Sequence, residues 1–191
     1  MSTHIVRSEN VLTHEQIESI KEFCLLNANE RPEEIAKRIN SQFNIDITAD
    51  KDIIVGYERD WSNMKGWAEA LARPIDVKEC SILLKIANYF KIPLTFSAGK
   101  TNLTGSATPN GGYIISTINM KWPELSVNID KESVICPVGV ILEDLRDFIV
   151  KETNNIYYYP VDPTSRKDAL VGGTVSTNAS GFIPGPKGAT R

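Results

Sequence analysis

Apolar positions in the first part of the chain recur at helical spacing. Thr13-His14-Glu15-Gln16 reads as a capping box that opens a helix carrying Ile17, Ile20 and Cys24 on one stripe. A second helix is expected to start near Pro32, because a first-turn proline has no N–H to leave unpaired. Glu33 and Glu34 suit the positive end of that helix, and Ile35, Ile39 and Phe43 form its apolar face. Residues 44–75 show no clean period, although a short strand fits just before Pro74. From Asp76 the pattern sharpens: Asp76 and Glu79 pair as N-cap and third residue, ahead of a stripe of Val77, Cys80, Leu83, Leu84 and Ala87.

Shorter apolar runs follow. Ile92–Phe96 reads as a buried strand, and Asn110-Gly111-Gly112 as a turn into a strand over 113–118. Two further strands fit 125–129 and 133–138. Ile141, Leu142, Leu145, Phe148 and Ile149 define another amphipathic helix, and Tyr157-Tyr158-Tyr159 alternates as a strand would, with Tyr158 inward. Helices and strands mix without a regular βαβ repeat, so the fold class is α+β.

Glycine divides the chain. Gly56 and Gly66 are the only two before residue 99, and the other ten lie between Gly99 and Gly188. Glycine allows positive φ and close approach of backbone to a ligand, so the special loops belong to the second half.

The first loop is Ser97-Ala98-Gly99-Lys100-Thr101-Asn102-Leu103-Thr104-Gly105-Ser106. Successive N–H groups in a concave loop can converge on a diphosphate. Thr101, Asn102 and Thr104 add side-chain donors, and Lys100 is the loop's only fixed positive charge. A plain surface loop between two strands has the same composition. Neither G-x-x-x-x-G-K-[ST] nor G-x-G-x-x-G is present, which excludes the two commonest nucleotide fingerprints. The second candidate runs from Tyr159-Pro160-Val161-Asp162-Pro163-Thr164-Ser165 to Val171-Gly172-Gly173-Thr174-Val175-Ser176-Thr177-Asn178-Ala179-Ser180-Gly181. Its small hydroxylic residues would line a flat ring closely, or simply make a turn before a short helix.

Together the two loops resemble those of the FAD-binding, PCMH-type family of FAD-linked oxidases, the branch with glycolate, D-lactate and 2-hydroxyglutarate dehydrogenases. The likeness rests on Ala98–Ser106, Tyr159–Ser165, Val171–Gly181 and Lys187-Gly188-Ala189-Thr190-Arg191, in the family's order and spacing. The resemblance implies a small parallel sheet over about residues 70–118 meeting a second, mostly antiparallel sheet, with FAD between them. The resemblance covers an FAD-binding domain over 60–191 that is expected to be incomplete at its end; residues 1–59 carry no such likeness and read, from their helical spacing, as a helical N-terminal extension. The cofactor-binding positions it implies are Ala98, Gly99, Lys100, Thr101, Asn102, Leu103, Gly105, Ser106, Pro160, Asp162, Gly172, Gly173, Ser176, Thr177 and Asn178. Lys100 and Ser106 stand where glycines are usual. Members with covalent flavin carry a histidine where Thr101 stands, so non-covalent FAD is expected.

The implied activity is oxidation of a 2-hydroxy acid by hydride transfer to FAD, with substrate and base groups in a later part of the protein. Two alternatives stay open: a non-catalytic flavin or nucleotide module, or a subunit completed by another chain; and the same cofactor serving ether-lipid synthesis or enol-ether reduction. His4 and His14 are the only histidines, both far upstream of the loops, so no catalytic base can be assigned. They form no metal pair, and no metal is expected.

Composition adds constraints. A net charge of −3 argues against a nucleic-acid partner. No run of about 18 apolar residues occurs, so no transmembrane segment is expected. Trp61, Trp67 and Trp122 read as packing residues. Cys24, Cys80 and Cys136 are odd in number and form no disulfide framework, which points to the cytoplasm.

Overall fold

The structure, a computed structural model, describes residues 11–183, 185 and 188–190. Helix α1 (His14–Leu26) begins with the expected capping box: the Thr13 side chain accepts from Gln16 N–H and the Gln16 side chain accepts from Thr13 N–H. Helix α2 (Pro32–Phe43) has Pro32 in its first turn and ends at Asn44 in the left-handed conformation. Helix α4 (Val77–Phe90), which follows the one-turn helix α3 (Lys51–Ile54), is capped by Asp76 accepting from Glu79 N–H.

Four short strands make the main sheet, in the order β1 (Ile47–Thr48), β2 (Ala70–Ala72), β4 (Tyr113–Ser116), β3 (Leu94–Ser97). β2–β4 and β3–β4 run parallel, while β1 is antiparallel on the edge. Alternation sorts the faces. Ala70, Ala72, Tyr113 and Ile115 point into a core shared with Phe23, Ile35, Ile39, Leu83 and Ile86 from α1, α2 and α4. Leu71 and Ile114 point the other way, with Ile54 and Ala68. The helices of the first 48 residues and strand β1 therefore share one core and one sheet with residues beyond 70.

Neighbouring parallel strands force the chain to travel back along their length. Between β2 and β3 helix α4 does this; between β3 and β4 no helix does, and residues 98–112 make the crossing as loop. Apart from a bridge between Asn110 and Trp67 near its end, that segment's peptide groups stay outside the sheet ladder.

A second core gathers Val140, Leu142, Leu145, Ile149, Val161 and Val171. It is built by helix α5 (Leu142–Glu152), the short helix α6 (Val171–Ser176) and the antiparallel hairpin β5 (Ser126–Asn128) and β6 (Ser133–Ile135). No helix among the described residues is long and apolar enough to cross a membrane.

Several sequence expectations need correction. On α4 the buried positions are Ile82, Leu83, Ile86 and Ala87, whereas Val77 and Leu84 are exposed, because packing against α1 selects a neighbouring stripe. The strand expected over 92–96 is β3 at 94–97; it lies on the sheet edge, so Phe96 is half exposed. The strand expected over 113–118 ends at Ser116 in a 3-10 turn, and the later two are three residues each. Tyr157–Tyr159 is not a strand: Tyr158 is exposed and its two neighbours lean on the second core. Trp61, Trp67 and Trp122 are each at least half exposed, at 50%, 53% and 71%.

Candidate functional site

The first loop leaves β3 at Ser97 and turns where Lys100 and Gly105 adopt positive φ, 57° and 78°. Asn102 holds its middle: its Oδ1 accepts from Thr104 N–H at 2.8 Å, Thr104 Oγ1 at 2.9 Å and Ser106 N–H at 3.2 Å. Asp60, buried, holds its far end by accepting from Ala107 N–H at 3.3 Å. Desolvation pushes the Asp60 carboxyl up, but the hydroxyl and N–H of Ser62 with the N–H of Ala107 outweigh it and keep the group below the ordinary carboxylate range. Lys100 turns away from the loop. Its Nζ donates to Gly56 O at 2.6 Å and lies 4.6 Å from the centre of the Tyr57 ring, while its carbonyl accepts from Trp61 N–H at 3.0 Å. Among the described residues, the N–H groups of Lys100, Thr101, Asn102 and Leu103 have no acceptor within the chain.

The second segment is organised by α5. Leu142 and Glu143 N–H, at the free start of that helix, donate to Ala169 O at 2.9 Å and Arg166 O at 3.0 Å. Asp162 Oδ1 accepts from Arg146 at 3.0 Å and Arg166 at 2.9 Å, and both guanidinium groups also reach Glu143. Ser176 and Thr177 return their hydroxyl protons to Gly172 O and Gly173 O, and Asn178 follows at φ 47°, exposed.

These two segments meet backbone to backbone. At Gly99 any side chain would run into the carbonyl of Asp168, and at Gly173 a Cβ would stand 3.0 Å from Cβ of Ala98. Beside this seam opens a cleft of about 320 Å³. Thr101 and Leu103 line one side, Pro163, Thr164 and Ser165 another, and Trp61, Ser180, Gly181 and Phe182 the remainder.

Of the expected positions, Thr101 and Leu103 face the cleft, and Ala98, Gly99 and Gly173 form the seam. Gly172 packs on Val138, Asn102 faces its own loop, and Gly105 sits against Met64 with Ser106 exposed beside it. Pro160 is half buried at the start of the second segment, and Ser176, Thr177 and Asn178 are exposed on and after α6. In the closing motif Gly188, Ala189 and Thr190 are described, with Thr190 N–H donating to Ala179 O, while Lys187 and Arg191 lie outside the described residues, as does His4. His14 is exposed on α1, which does not line the cleft. Asp60, Trp61 and Phe182 were not anticipated; the signal available for the first two was a tryptophan directly after an acid in a polar stretch. Among the described residues no group of three or more acidic, histidine or cysteine side chains could hold a metal.

A family model described as "FAD binding domain" matches residues 68–191. The chain is 32% identical over 184 residues to a D-lactate dehydrogenase of Anaerostipes hadrus, covering 95% of this chain and 34% of that protein. It is 28% identical over 137 residues to a D-2-hydroxyglutarate dehydrogenase of Stutzerimonas stutzeri (strain A1501), covering 71% of this chain and 29% of that protein. The chain thus spans about a third of the length of these relatives. In fold it is similar to an alkyldihydroxyacetonephosphate synthase, with TM-score 0.65, 19% identity, and 80% of this chain and 30% of the other covered. It is similar also to the 6-hydroxy-D-nicotine oxidase of Arthrobacter nicotinovorans, with TM-score 0.60, 17% identity, and 76% and 31% covered. With the fold, the two touching loops and a family match over most of its length in agreement, the chain belongs to the FAD binding domain family.

Proposed function

We propose that residues 60–191 form the diphosphate- and ring-facing part of a non-covalent FAD site, in a protein that oxidises a 2-hydroxy acid. The observation that carries this reading is the seam at Gly99 and Asp168, which sets a row of uncommitted N–H groups next to a cleft with small, hydroxyl-rich walls.

The residues fit such a group. A diphosphate needs several converging donors, and the N–H groups from Lys100 to Leu103, with the Thr101 hydroxyl, supply them at neutral charge. Lys100 itself does not crowd the loop, because its ammonium is held at Gly56 and Tyr57. A flat ring system needs low walls and apolar cover. Thr164, Ser165, Ser180 and Gly181 supply the first, Leu103, Pro163, Trp61 and Phe182 the second, and Ser176, Thr177 and Asn178 stand exposed on and after α6. Pro160 and Asp162 shape the approach to the Pro163–Ser165 wall. When bound, the cofactor accepts a hydride from the substrate carbon.

The substrate class follows the relatives, whose names specify D-lactate and D-2-hydroxyglutarate. Non-covalent attachment is supported by Thr101 and by a cleft lining with neither histidine nor cysteine among the described residues. Free Cys24, Cys80 and Cys136 favour the cytoplasm. The test is a visible spectrum of the full-length protein before and after acid precipitation, then turnover of a panel of 2-hydroxy acids with an artificial electron acceptor. Flavin absorbance that moves to the supernatant, with turnover of a D-2-hydroxy acid, is expected. A colourless protein that stays colourless on adding FAD overturns the reading.

A further inference from the structure

We infer that Glu143, Arg146, Asp162 and Arg166 form a closed four-charge clamp that sets the cleft wall, and that Asp162 is a positioning residue within it. The inference rests on the cleft being the cofactor site.

Each member of the cluster touches both opposite charges. Arg146 Nη1 lies 3.1 Å from Glu143 Oε2 and 3.0 Å from Asp162 Oδ1. Arg166 Nη1 lies 2.9 Å from Asp162 Oδ1, and its Nε is 2.9 Å from Glu143 Oε2, within ion-pair range though not aligned as a hydrogen bond. Two cations and two carboxylates therefore balance, with side chains only 23–32% exposed. A ring of this kind stores little net stability, because desolvation offsets attraction. Its geometric effect is larger: with two partners each, no member can shift alone.

The clamp joins three elements. Glu143 and Arg146 belong to α5, Asp162 and Arg166 flank the wall Pro163–Ser165, and Arg146 Nε also donates to Tyr159 O at 3.3 Å. The main chain of Asp162 carries the third element: its carbonyl accepts from Phe182 N–H at 3.2 Å, and Gly181 lies flat on the same peptide. The Pro163–Ser165 wall and the Gly181–Phe182 part of the cleft thus both hang on Asp162, whose carboxylate Oδ1 is already shared by two arginines.

The test uses the full-length protein with Glu143→Gln, Asp162→Asn and the double substitution. FAD affinity of the apoprotein is read by flavin fluorescence, and hydrogen exchange is read on peptides spanning 160–168. A clamp predicts that both single variants weaken FAD by about tenfold, that the double variant is no worse than either, and that exchange in 160–168 speeds up in all three. Loss of affinity in Asp162→Asn alone, with Glu143→Gln unchanged, would mean direct contact and overturn the inference; so would unaltered exchange. Should the unmodified protein bind no FAD, the cofactor reading fails, and exchange in Glu143→Gln still decides the clamp. If the neutral variants fold poorly, Arg146→Lys, which keeps charge but loses the fork, must speed exchange, and wild-type behaviour there also overturns it.

Discussion

Gly99 lies flat against the carbonyl of Asp168, so the two loops that border the cleft touch through bare main chain. Contacts of this kind tolerate almost no added volume, since neither side has a rotamer with which to make room. The position of one loop is thereby read directly into the position of the other.

Gly99→Ala is expected to cost about 1–3 kcal/mol of stability and to weaken FAD binding, because the new methyl meets a peptide carbonyl rather than a flexible chain end. Gly56→Ala is the matched control: nothing lies within 4 Å of its added carbon, and it should be neutral or stabilising by about 0.4–1 kcal/mol. Urea unfolding of both variants checks the contrast. Equal effects would remove the special status of the seam.

Lys100 combines a left-handed backbone with a fastened side chain. Lys100→Ala keeps the unfavourable φ and loses the contacts to Gly56 and Tyr57, so it should lose about 1 kcal/mol. Lys100→Gly loses the same contacts but removes the backbone penalty, and should unfold at a denaturant midpoint between those of Lys100→Ala and the parent. A phosphate-neutralising lysine would instead show equal, salt-sensitive losses of FAD affinity in both variants.

Asp60 makes the loop sensitive to acid. Its folded-state carboxyl is held below the ordinary range, so its contribution is present above about pH 4 and disappears as pH falls through the lower folded value. Asp60→Asn should be less stable than the parent at pH 7 by about 1–2 kcal/mol, with the gap closing below about pH 4. Urea midpoints from pH 7 to pH 3 measure this; a constant gap would contradict it.

Cys136 should be slow to react. Burial pushes its thiol up to about 11, against the opposing pull of Lys121. At pH 8 roughly one molecule in a thousand is then thiolate, and iodoacetamide labelling should lag an exposed cysteine by about a hundredfold. Mass spectrometry at pH 8 and at pH 10.5 tests this, and rapid labelling at the lower pH would refute it.

Local chemistry was legible and long-range choice was not. The Thr13 and Asp76 caps could be read because donor and acceptor lie within one turn of each other. On α4, by contrast, two overlapping apolar stripes exist, and only contact with α1 decides that Leu83 is buried and Leu84 is not. Phe96 looked buried because a single strand does not reveal that it will be an edge. The two loops were recognisable separately by glycine and hydroxyl content, but the roles of Trp61 and Asp60 depend on Lys100 and Ala107, more than thirty residues away along the chain. No period or cap encodes such a pairing.

A seam built from peptide groups has a further consequence for how such a molecule can change over generations. A substitution at Gly99 must disturb the joint, whereas Thr101, Leu103, Thr164 and Phe182 can be exchanged without touching it. The width of the opening is held constant while its chemical texture is free to drift, so one scaffold can be refitted for new guests by changing only its upholstery.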